Sequence, residues 1–537
     1  MVTVCTQISY VWMHKNEPAS VMQPMLLLLV ASSLPILFFA PAVGTLLVMQ
    51  AYVLFLAVLL SCVLAYRLGP LHPLSPYPGP LSCKVSKLWM AYISLCGKQH
   101  EYFKALHENY GPIVRVGPNE LSVTEKEFIY AVMGRDGLPK GPLWKGRIIT
   151  PSSQRHESHS LVSTQDLQRH AQLRKPWNKA FGTAPMLDYS YLVIGKATEL
   201  SERFMKNCES SPDKEARVDL AKWFGFFSFG HDFGLIRHGD KDEMWSKMES
   251  ALLLPCVTQH IPWAARFLQS IGRFGKADEF TAFAAKQARV RATQGAKKKD
   301  LFYHLLQTTD PESMADPFPM ILSNAVLAII AGSDTTATTL SNIMYYLLAH
   351  PKYLKELRRE VEAVFPLGEG TPIQDDKLCS MKMLNAIINE ALRLLPPLPI
   401  LLQRAVPIGS GGKLIGKHFI PEGTAIVLPP YCLHRDPRYF SPRTEEFWPD
   451  RWLKEKNEDP DLVHDLTAFI PFSFGPANCA GKPLAVFELR YITVMLVRNF
   501  DISFQDGFDP MLWEKNLLDR FVLTKGPLLI KLSPRVI

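Results

Sequence analysis

The 537-residue chain lacks the patterns that three common protein classes need. Its nine cysteines (Cys5, Cys62, Cys83, Cys96, Cys208, Cys256, Cys379, Cys432 and Cys479) form no CxxC pair and keep no regular spacing. A disulfide framework and a zinc site are both excluded on that count, and a reducing compartment is indicated. There is no basic block with interleaved aromatics either: 59 lysines and arginines outnumber 51 aspartates and glutamates, but the excess is spread along the chain. Nucleic acid is therefore not an expected partner. Internal repeats, low-complexity tracts and long linkers are also absent, which leaves one large domain of catalytic size.

The absence with the largest consequence is local. No charged residue stands between Pro18 and Tyr66, where two apolar runs, Leu26 to Ala40 and Val43 to Tyr66, are parted by Pro41 and Gly44. The second run reaches the ~20 residues a membrane-spanning helix needs, while the first, with Pro35 inside it and Pro24 just before it, is marginal. A cleaved signal peptide would carry an apolar region of roughly 7 to 15 residues and then a small-residue cleavage site. A retained anchor fits better. Arg67, the stretch "GPLHPLSPYPGP" (Gly69 to Pro80), Lys84 and Lys87 follow, so the positive-inside rule puts the remaining chain in the cytosol. The expected organisation is a membrane anchor of one or two transmembrane helices over 1–68, a proline-rich hinge over 69–80 and a catalytic domain over 81–537.

Within that domain most of the pattern is helical. "YGPIVRVGPNELSV" (Tyr110 to Val123) reads as an early strand pair, and "GTAIVLPP" (Gly423 to Pro430) and "PLLIKLS" (Pro527 to Ser533) as short late strands. Asp316-Pro317 has the form of an N-cap and first-turn proline, and the run from Pro319 to His350, with no further proline, predicts one helix of about eight turns. "MLNAIINEALRLL" places Leu384, Ile387, Ile388, Ala391 and Leu395 on one stripe, and "PPLP" at Pro396 to Pro399 ends that helix. The expected class is mainly α with small β-sheets (α+β).

Three places carry chemistry. Glu390 and Arg393, three apart, share one helix face, and Arg451 in "EEFWPDRW" (Glu445 to Trp452) stands among aromatics, where a second arginine on one carboxylate would complete a buried network. By frequency alone, Glu390 and Arg393 would be an ordinary surface pair. In the long helix, "AGSDTT" (Ala331 to Thr336) interrupts an uncharged run. Burying Asp334 costs several kcal/mol unless it is paired, and Gly332 costs ~1 kcal/mol against alanine; two adjacent penalties point to a functional kink. Back-bonding hydroxyls would explain the threonines alone. In "PFSFGPANCAGKPLA" (Pro471 to Ala485), Leu484, Phe487, Tyr491 and Val494 recur at helical spacing, so a helix begins near Ala480 to Pro483. Cys479 then sits at a helix N-terminus, where dipole and unpaired amides favour thiolate. A packed thiol would need no Gly475, Pro476 and Gly481 around it, whereas a metal thiolate tuned by backbone amides does.

Taken together these segments resemble the cytochrome P-450 superfamily, in its membrane-anchored eukaryotic form, over nearly all the chain beyond Tyr77. The haem signature FxxGxRxCxG is matched by Phe472, Gly475, Cys479 and Gly481, the ExxR by Glu390 and Arg393, and the oxygen-activation segment by Ala331 to Thr336. Arg451 resembles the third member of the family's Glu-Arg-Arg network. The chain departs from the signature at Ala477, where the family has an arginine on a haem propionate, a charged hydrogen bond contributing ~1.5 to 3 kcal/mol. His170 and Arg174, four apart in "RHAQLRKPWNKAF" (Arg169 to Phe181), resemble the family's propionate-binding helix and are expected to take that role, with Arg404 as a further candidate.

The resemblance implies a haem b held by Cys479 as axial ligand of the iron, and a monooxygenase that hydroxylates or epoxidises a lipophilic small molecule with O2. Asp334 and Thr335 would deliver protons, and Gly332 would leave room for dioxygen. Electrons would come from NADPH through a diflavin reductase docked electrostatically, with Lys482, Arg490 and Arg498 as basic contacts. Pocket-lining positions would be Leu327, Ala328, Ile329, Ile400, Leu401 and Leu402, all apolar. The wording of "FSFGPANCAGK" resembles fungal members of secondary metabolism, terpenoid or aromatic, or of xenobiotic breakdown. The expected location is the endoplasmic reticulum membrane. Two other readings compete: a haem-thiolate isomerase or dehydratase, which tends to lose the acid and alcohol that are intact here, and a non-catalytic haem-binding membrane sensor.

Overall fold

The long helix is the axis of the fold. In the computed structural model, which describes residues 30, 45–147, 160–228, 235–240, 243–271, 276–294, 299–308, 318–366, 375–400, 403–453 and 460–535, it runs unbroken over Phe318–Ala349. Its expected N-cap, Asp316-Pro317, lies outside the described residues. From Thr336 to Leu348 every position is buried, because the helix passes between Leu220–Ser228 on one side and the helices Lys382–Leu394 and Lys482–Asn499 on others. Over that stretch it has no solvated face to turn outward.

Helices are labelled here as α1 (Thr45–Leu68), α2 (Leu167–Ala180), α3 (Thr183–Glu209), α4 (Met244–Thr258), α5 (Phe318–Ala349), α6 (Lys382–Leu394) and α7 (Lys482–Asn499). The stripe on α6 is buried as expected, and so are Glu390 and Arg393. Its first-turn amides at Met383 and Leu384 donate to the Glu360 carboxylate, each at 2.9 Å, which supplies the partners that a helix start lacks. Pro396 and Pro397 then stop it.

Strands are short and peripheral. β1 (Ile113–Gly117) and β2 (Glu120–Val123) form the expected antiparallel pair, extended by β5 (Ala425–Val427), parallel to β2, and by β4 (Arg404–Ala405). A second sheet joins β6 (Phe500–Phe504), β9 (Leu529–Pro534) and β3 (Ala216–Asp219), and β7 (Leu518–Arg520) pairs with β8 (Val522–Thr524) in a hairpin. The main apolar core lies among α5, α6, α7 and the second sheet, and a smaller one beneath the first sheet. The architecture is helix-rich with small sheets.

Among the described residues two helices are long and apolar enough to cross a membrane, Met49–Leu68 and Met320–Ala349. The second is the core helix just described; only 11% of the first is buried against 39% of the second, which leaves α1 as the candidate span. The earlier apolar run, apart from Val30, lies outside the described residues. Residues after α1 pack on the domain: His72 and Leu74 are buried and Pro78 O accepts from Arg115 N at 2.7 Å. At Gly69 an added Cβ would stand 2.4 Å from Ala65 O, so the chain leaves the helix tightly there. Arg115, 1% exposed, donates to Arg67 O at the end of α1 (3.0 Å) and twice to Pro118 O. Its charge therefore sits on one of the last carbonyls of an apolar helix, the end that favours a cation.

Replacing Arg115 with alanine takes the donor away from the part-buried carbonyls of Arg67 and Pro118. The expected cost is about 2 to 4 kcal/mol, read as a lower denaturant midpoint of the detergent-solubilised chain; an unchanged midpoint would show that α1 is not clamped by this side chain.

Candidate haem-thiolate site

The cysteine segment is a bend whose shape the sequence enforces. Cys479 N donates to Phe472 O at 2.9 Å and Asn478 N to Gly475 O at 3.1 Å. Gly475 has φ +70, and a Cβ on it would lie 2.0 Å from Met133 O. Both the left-handed backbone and the close approach of the neighbouring helix (Glu127–Met133) require glycine. Gly481 is the N-cap of α7 and Pro483 falls in its first turn, as the spacing predicts. The amides of Gly481 and Lys482 both hydrogen-bond to the Cys479 sulfur.

Cys479 is exposed by its contact surface, yet protein encloses it on a wider scale, since burial is the largest influence on its thiol. The two descriptions agree if it faces an inward space. Burial pushes the thiol up; the two amides, Arg174 and Lys482 pull it down but do not win. The helix N-terminus thus acts in the expected direction without by itself producing a thiolate. A bound metal ion would displace the proton outright.

On α5 the segment Ala331 to Thr336 opens in the same way. Ala331 and Gly332 are exposed and Thr335 half-buried between enclosed neighbours, and nothing lies within 4 Å of a Cβ built on Gly332. The helix does not break here. Thr335 Oγ1 donates to Ala331 O at 2.7 Å and Ser333 Oγ to Ile329 O. Asp334, one residue along and so about 100° round the helix, is sealed at 0% exposure and paired with Lys525, Nζ to Oδ1 3.4 Å. Burial raises its carboxyl above the ordinary range, with Lys525 opposing. Acid and alcohol are thus neighbours in sequence that face different surroundings.

Apolar contacts connect the cysteine bend to α5. Ala480, Phe181, Leu327 and Ala328 belong to one cluster with Leu173, Trp177 and Ala180 of α2. Of the other positions expected to line a pocket, Ile329 packs on the main core and Ile400, 1% exposed, is buried with Val427 and Cys432. Leu401 and Leu402 lie outside the described residues.

Cations gather beside this cluster without acidic partners. Arg174 reaches the bend itself, donating to Asn478 O and to Asn478 Oδ1 (2.9 Å). His170 is buried on the same helix, and Arg404 is buried on β4, bridged to Lys140. Burial and then the like charges of Arg404 and Arg174 pull Lys140 down to about 7; burial, Lys140, Arg174 and Arg404 pull His170 down to about 4; burial takes Arg404 to about 10. Among the described residues no carboxylate pairs with Lys140, His170, Arg174 or Arg404. Several enclosed cations with no anion form an arrangement that a bound dianion would complete. No sequence pattern singles out Lys140, a lone lysine that only the fold brings to Arg404.

The Glu390 carboxylate is fully hydrogen-bonded. Its Oε1 accepts from Arg393 Nη2 (2.9 Å), Trp448 N (3.0 Å) and Arg451 Nε (3.1 Å), and its Oε2 from Arg393 Nε and Trp452 Nε1, both at 2.9 Å. All three charged side chains are 0% exposed. Burial would raise the Glu390 carboxyl, but the two arginines outweigh it and hold it below the ordinary range. Arg393 also donates to His434 O (2.9 Å), Thr444 O and Glu446 O, and His434 Nε2 accepts from Ile470 N (2.9 Å) at the entrance to the cysteine bend.

Glu488, on α7, was also missed. It hydrogen-bonds Thr336 and is pushed up to about 7 by burial, with Lys196 opposing. A lone acid in an apolar helical run was the available signal, the same one that marked Asp334. The expected basic contacts divide: Lys482 is exposed, whereas Arg498 is buried on Pro366 O and Arg490 is engaged with Asn385 and Cys379.

These residues fit an iron porphyrin. They offer an inward-facing sulfur with amide donors, cations for two carboxylates, apolar walls, and an open helix face. Known proteins agree. The family model described as Cytochrome P450 matches residues 75–532. The chain is 30% identical over 486 residues to Cytochrome P450 67 of Uromyces fabae, covering 86% of this chain and 87% of that one. It is 31% identical over 475 residues to tryprostatin B 6-hydroxylase of Aspergillus fumigatus (86% and 80%), and 30% identical over 490 residues to the cytochrome P450 monooxygenase phqL of Penicillium fellutanum (88% and 82%). A match across that span, with the cysteine bend, the paired arginines and the open segment of α5 in the family's order, means that the chain belongs to the cytochrome P450 family.

Proposed function

We propose that the chain is a haem-thiolate monooxygenase that inserts one oxygen atom of O2 into a lipophilic terpenoid or aromatic molecule of fungal secondary metabolism. The observation that carries this reading is the Cys479 sulfur, held by two amides at the start of α7 and facing inward beside cations that lack anions. A haem b bound there would supply an iron whose thiolate ligand favours cleavage of the O–O bond. Cys479 would hold the iron. Arg174, Arg404 and Lys140 would take the propionates, and His170, neutral at working pH, would donate a ring N–H. They replace what Ala477 does not offer.

The remaining roles fall to side chains of α5. Gly332 leaves space beside the open face, the Thr335 hydroxyl holds a proton there, and Asp334 stands one residue away as its acid. Leu327 and Ala328 keep water from the wall they share with Ala480. The relative whose name denotes a hydroxylase supports hydroxylation, and the wide cover of fungal relatives supports secondary metabolism over xenobiotic breakdown.

Electrons would come from NADPH through a diflavin reductase on the same membrane. Docking would use the cysteine side, where Lys482 is exposed together with Lys175 and Lys179 of α2; Arg490 and Arg498 are left out because internal contacts hold them. With α1 as anchor, Leu81, Leu88, Trp89, Tyr92, Leu95, Trp263 and Phe267 stay exposed on the domain, an apolar surface that fits contact with lipid. The endoplasmic reticulum membrane, with the domain in the cytosol, is the corresponding location.

Expression beside a reductase with terpenoid and aromatic candidates should give a hydroxylated or epoxidised product that requires NADPH and vanishes in Cys479→Ser. Turnover without NADPH would identify an isomerase, and haem binding without turnover a sensor. In Lys140→Ala/Arg174→Ala, haem per protein after dialysis should fall several-fold, because charged hydrogen bonds of about 1.5 to 3 kcal/mol are lost; full retention would remove both from the propionate role. Glu390→Gln should leave two arginines unbalanced at a cost of about 3 to 5 kcal/mol, seen as failure to retain haem during purification, and a normally loaded variant would contradict the structural role given to the network.

A further inference from the structure

One enclosed cation stands apart from both the Glu390 network and the group beside the cysteine bend. Arg147 ends the short helical turn Pro142–Arg147, which Thr258 Oγ1 ties to the end of α4 through Gly146 O at 2.8 Å. Its Nη1 donates to Gln259 Oε1 at 2.9 Å, and its guanidinium carbon lies 3.6 Å from the centre of the Phe521 ring. Phe521 is the single residue between β7 and β8 and has φ +88, a left-handed backbone where glycine would be the relaxed choice. The hairpin tip thus holds an aromatic face against the guanidinium at a local cost. Two sets of contacts join this corner to the candidate haem site. Trp144 stands edge-on to Phe521 with ring centres 6.3 Å apart, donates from Nε1 to Gln403 O at 3.3 Å, and has Lys140 Nζ 5.6 Å from its ring. From the other direction, Leu523 O on β8 accepts from Thr338 Oγ1 of α5 at 3.1 Å.

Nothing in this corner balances the charge of Arg147. Among the described residues no carboxylate forms an ion pair with it; its hydrogen-bond acceptor Gln259 is neutral. Cys256, also beside it, is neutral too, since burial pushes its thiol up to about 12. The acid in the neighbourhood is Asp519, which is buried and accepts from Phe521 N at 3.2 Å. Arg147 and Arg520 both act on it, and burial still pushes its carboxyl up to about 6. Two cations therefore share one acid, and a positive charge is left over even when that acid is ionised. Arg147 is half-buried by its contact surface, yet burial is the largest influence on it. As at Cys479, the two descriptions agree if the side chain faces an inward space.

We propose that Arg147 determines substrate specificity and that the substrate is a lipophilic acid, an aromatic or terpenoid molecule whose carboxylate pairs with the Arg147 guanidinium. This rests on the proposed function and narrows it. The Phe521 ring covers one face of the guanidinium, which leaves its edge, where the N–H donors are, to a partner. A guanidinium has five such donors in a fixed fork. Gln259 takes one of them, and the rest suit the two parallel acceptors of a carboxylate. A neutral carbonyl could use a donor but would leave the enclosed charge uncompensated, the costly state for a cation away from water. Trp144 and Phe521 supply apolar surface beside the cation, so the hydrocarbon part of the acid has a wall to lie against. Arg147 would touch the end of the substrate that does not react; its part is selection and placement.

The test uses the full-length haem-loaded chain and two matched pairs of probes, dehydroabietic acid with its methyl ester and biphenyl-4-carboxylic acid with its methyl ester. Dissociation constants are read from the change in the ferric haem spectrum on titration near neutral pH, without turnover. In the wild type at least one acid should bind about tenfold or more tighter than its ester, the scale of a charge-assisted hydrogen bond. In Arg147→Gln that preference should vanish through weaker binding of the acid, with the ester bound as before. Arg147→Lys keeps the charge without the fork or the stacked face and should keep part of the preference. Equal binding of acid and ester by the wild type, or binding of neither acid, overturns the assignment, as does an acid preference that survives in Arg147→Gln. Equal losses for acid and ester in both variants would show that Arg147 only supports the wall, and would overturn it as well. If Arg147→Gln loses its haem, Arg147→Lys decides, and an undiminished preference there overturns the proposal. Failure of the monooxygenase reading would appear separately, as an acid that the wild type binds selectively but does not oxygenate with NADPH and reductase.

Discussion

A carboxylate with no exposure, Glu390, is the constraint on which the site depends. Taking such a charge out of water costs several kcal/mol, and here five N–H donors from two arginines and two tryptophans surround it. A carboxylate offers about four lone-pair directions, so nothing is left over for another partner. Saturation of this kind makes the geometry unique: the donors come from α6 and from the segment around Trp448, Arg451 and Trp452, and no shift of either keeps all the bonds. Through Arg393 and the carbonyl of His434, and through His434 Nε2 to Ile470 N, that rigidity reaches the entrance of the cysteine bend.

The second charged group of the site has the opposite character. Lys140, His170, Arg174 and Arg404 come together beside the cysteine bend; burial depresses all four, and like charges add to it at Lys140 and His170, whereas in the Glu390 network the carboxylate is held charged by its two arginines. A fold does not gather like charges without a compensating partner. The contrast separates support from binding: satisfied charges hold the backbone, and unsatisfied ones await a ligand. Asp334 lies between these cases, with one oxygen paired to Lys525 and the other without a partner. A carboxyl of that kind has capacity to accept a proton without losing its place in the fold.

Much of this was legible in the residues. The lack of further proline after Pro319 marked α5, an apolar stripe marked α6, the Gly-Pro punctuation marked β1 and β2, and the cost of burying Asp334 foretold a partner. The partner itself was not foreseeable, because Lys525 comes from a turn 191 residues further on. Lys140 stayed hidden for the same reason, since contact order carries no local signal. The expected kink at Gly332 was an inference from two penalties, and the helix meets them differently: Asp334 is paired sideways and the hydroxyls of Ser333 and Thr335 bond backward along the chain. The sequence also overstated the helix N-terminus at Cys479, since it is blind to the burial that outweighs the dipole. Charge count likewise promoted Arg490 and Arg498 as docking groups, although both are occupied internally.

The claim that iron is bound through the Cys479 sulfur is tested most directly by the carbon monoxide difference spectrum of the reduced, purified chain. A band characteristic of a thiolate-ligated ferrous haem is expected. The absorption of an imidazole-ligated porphyrin, or no haem absorption at all, would contradict the account.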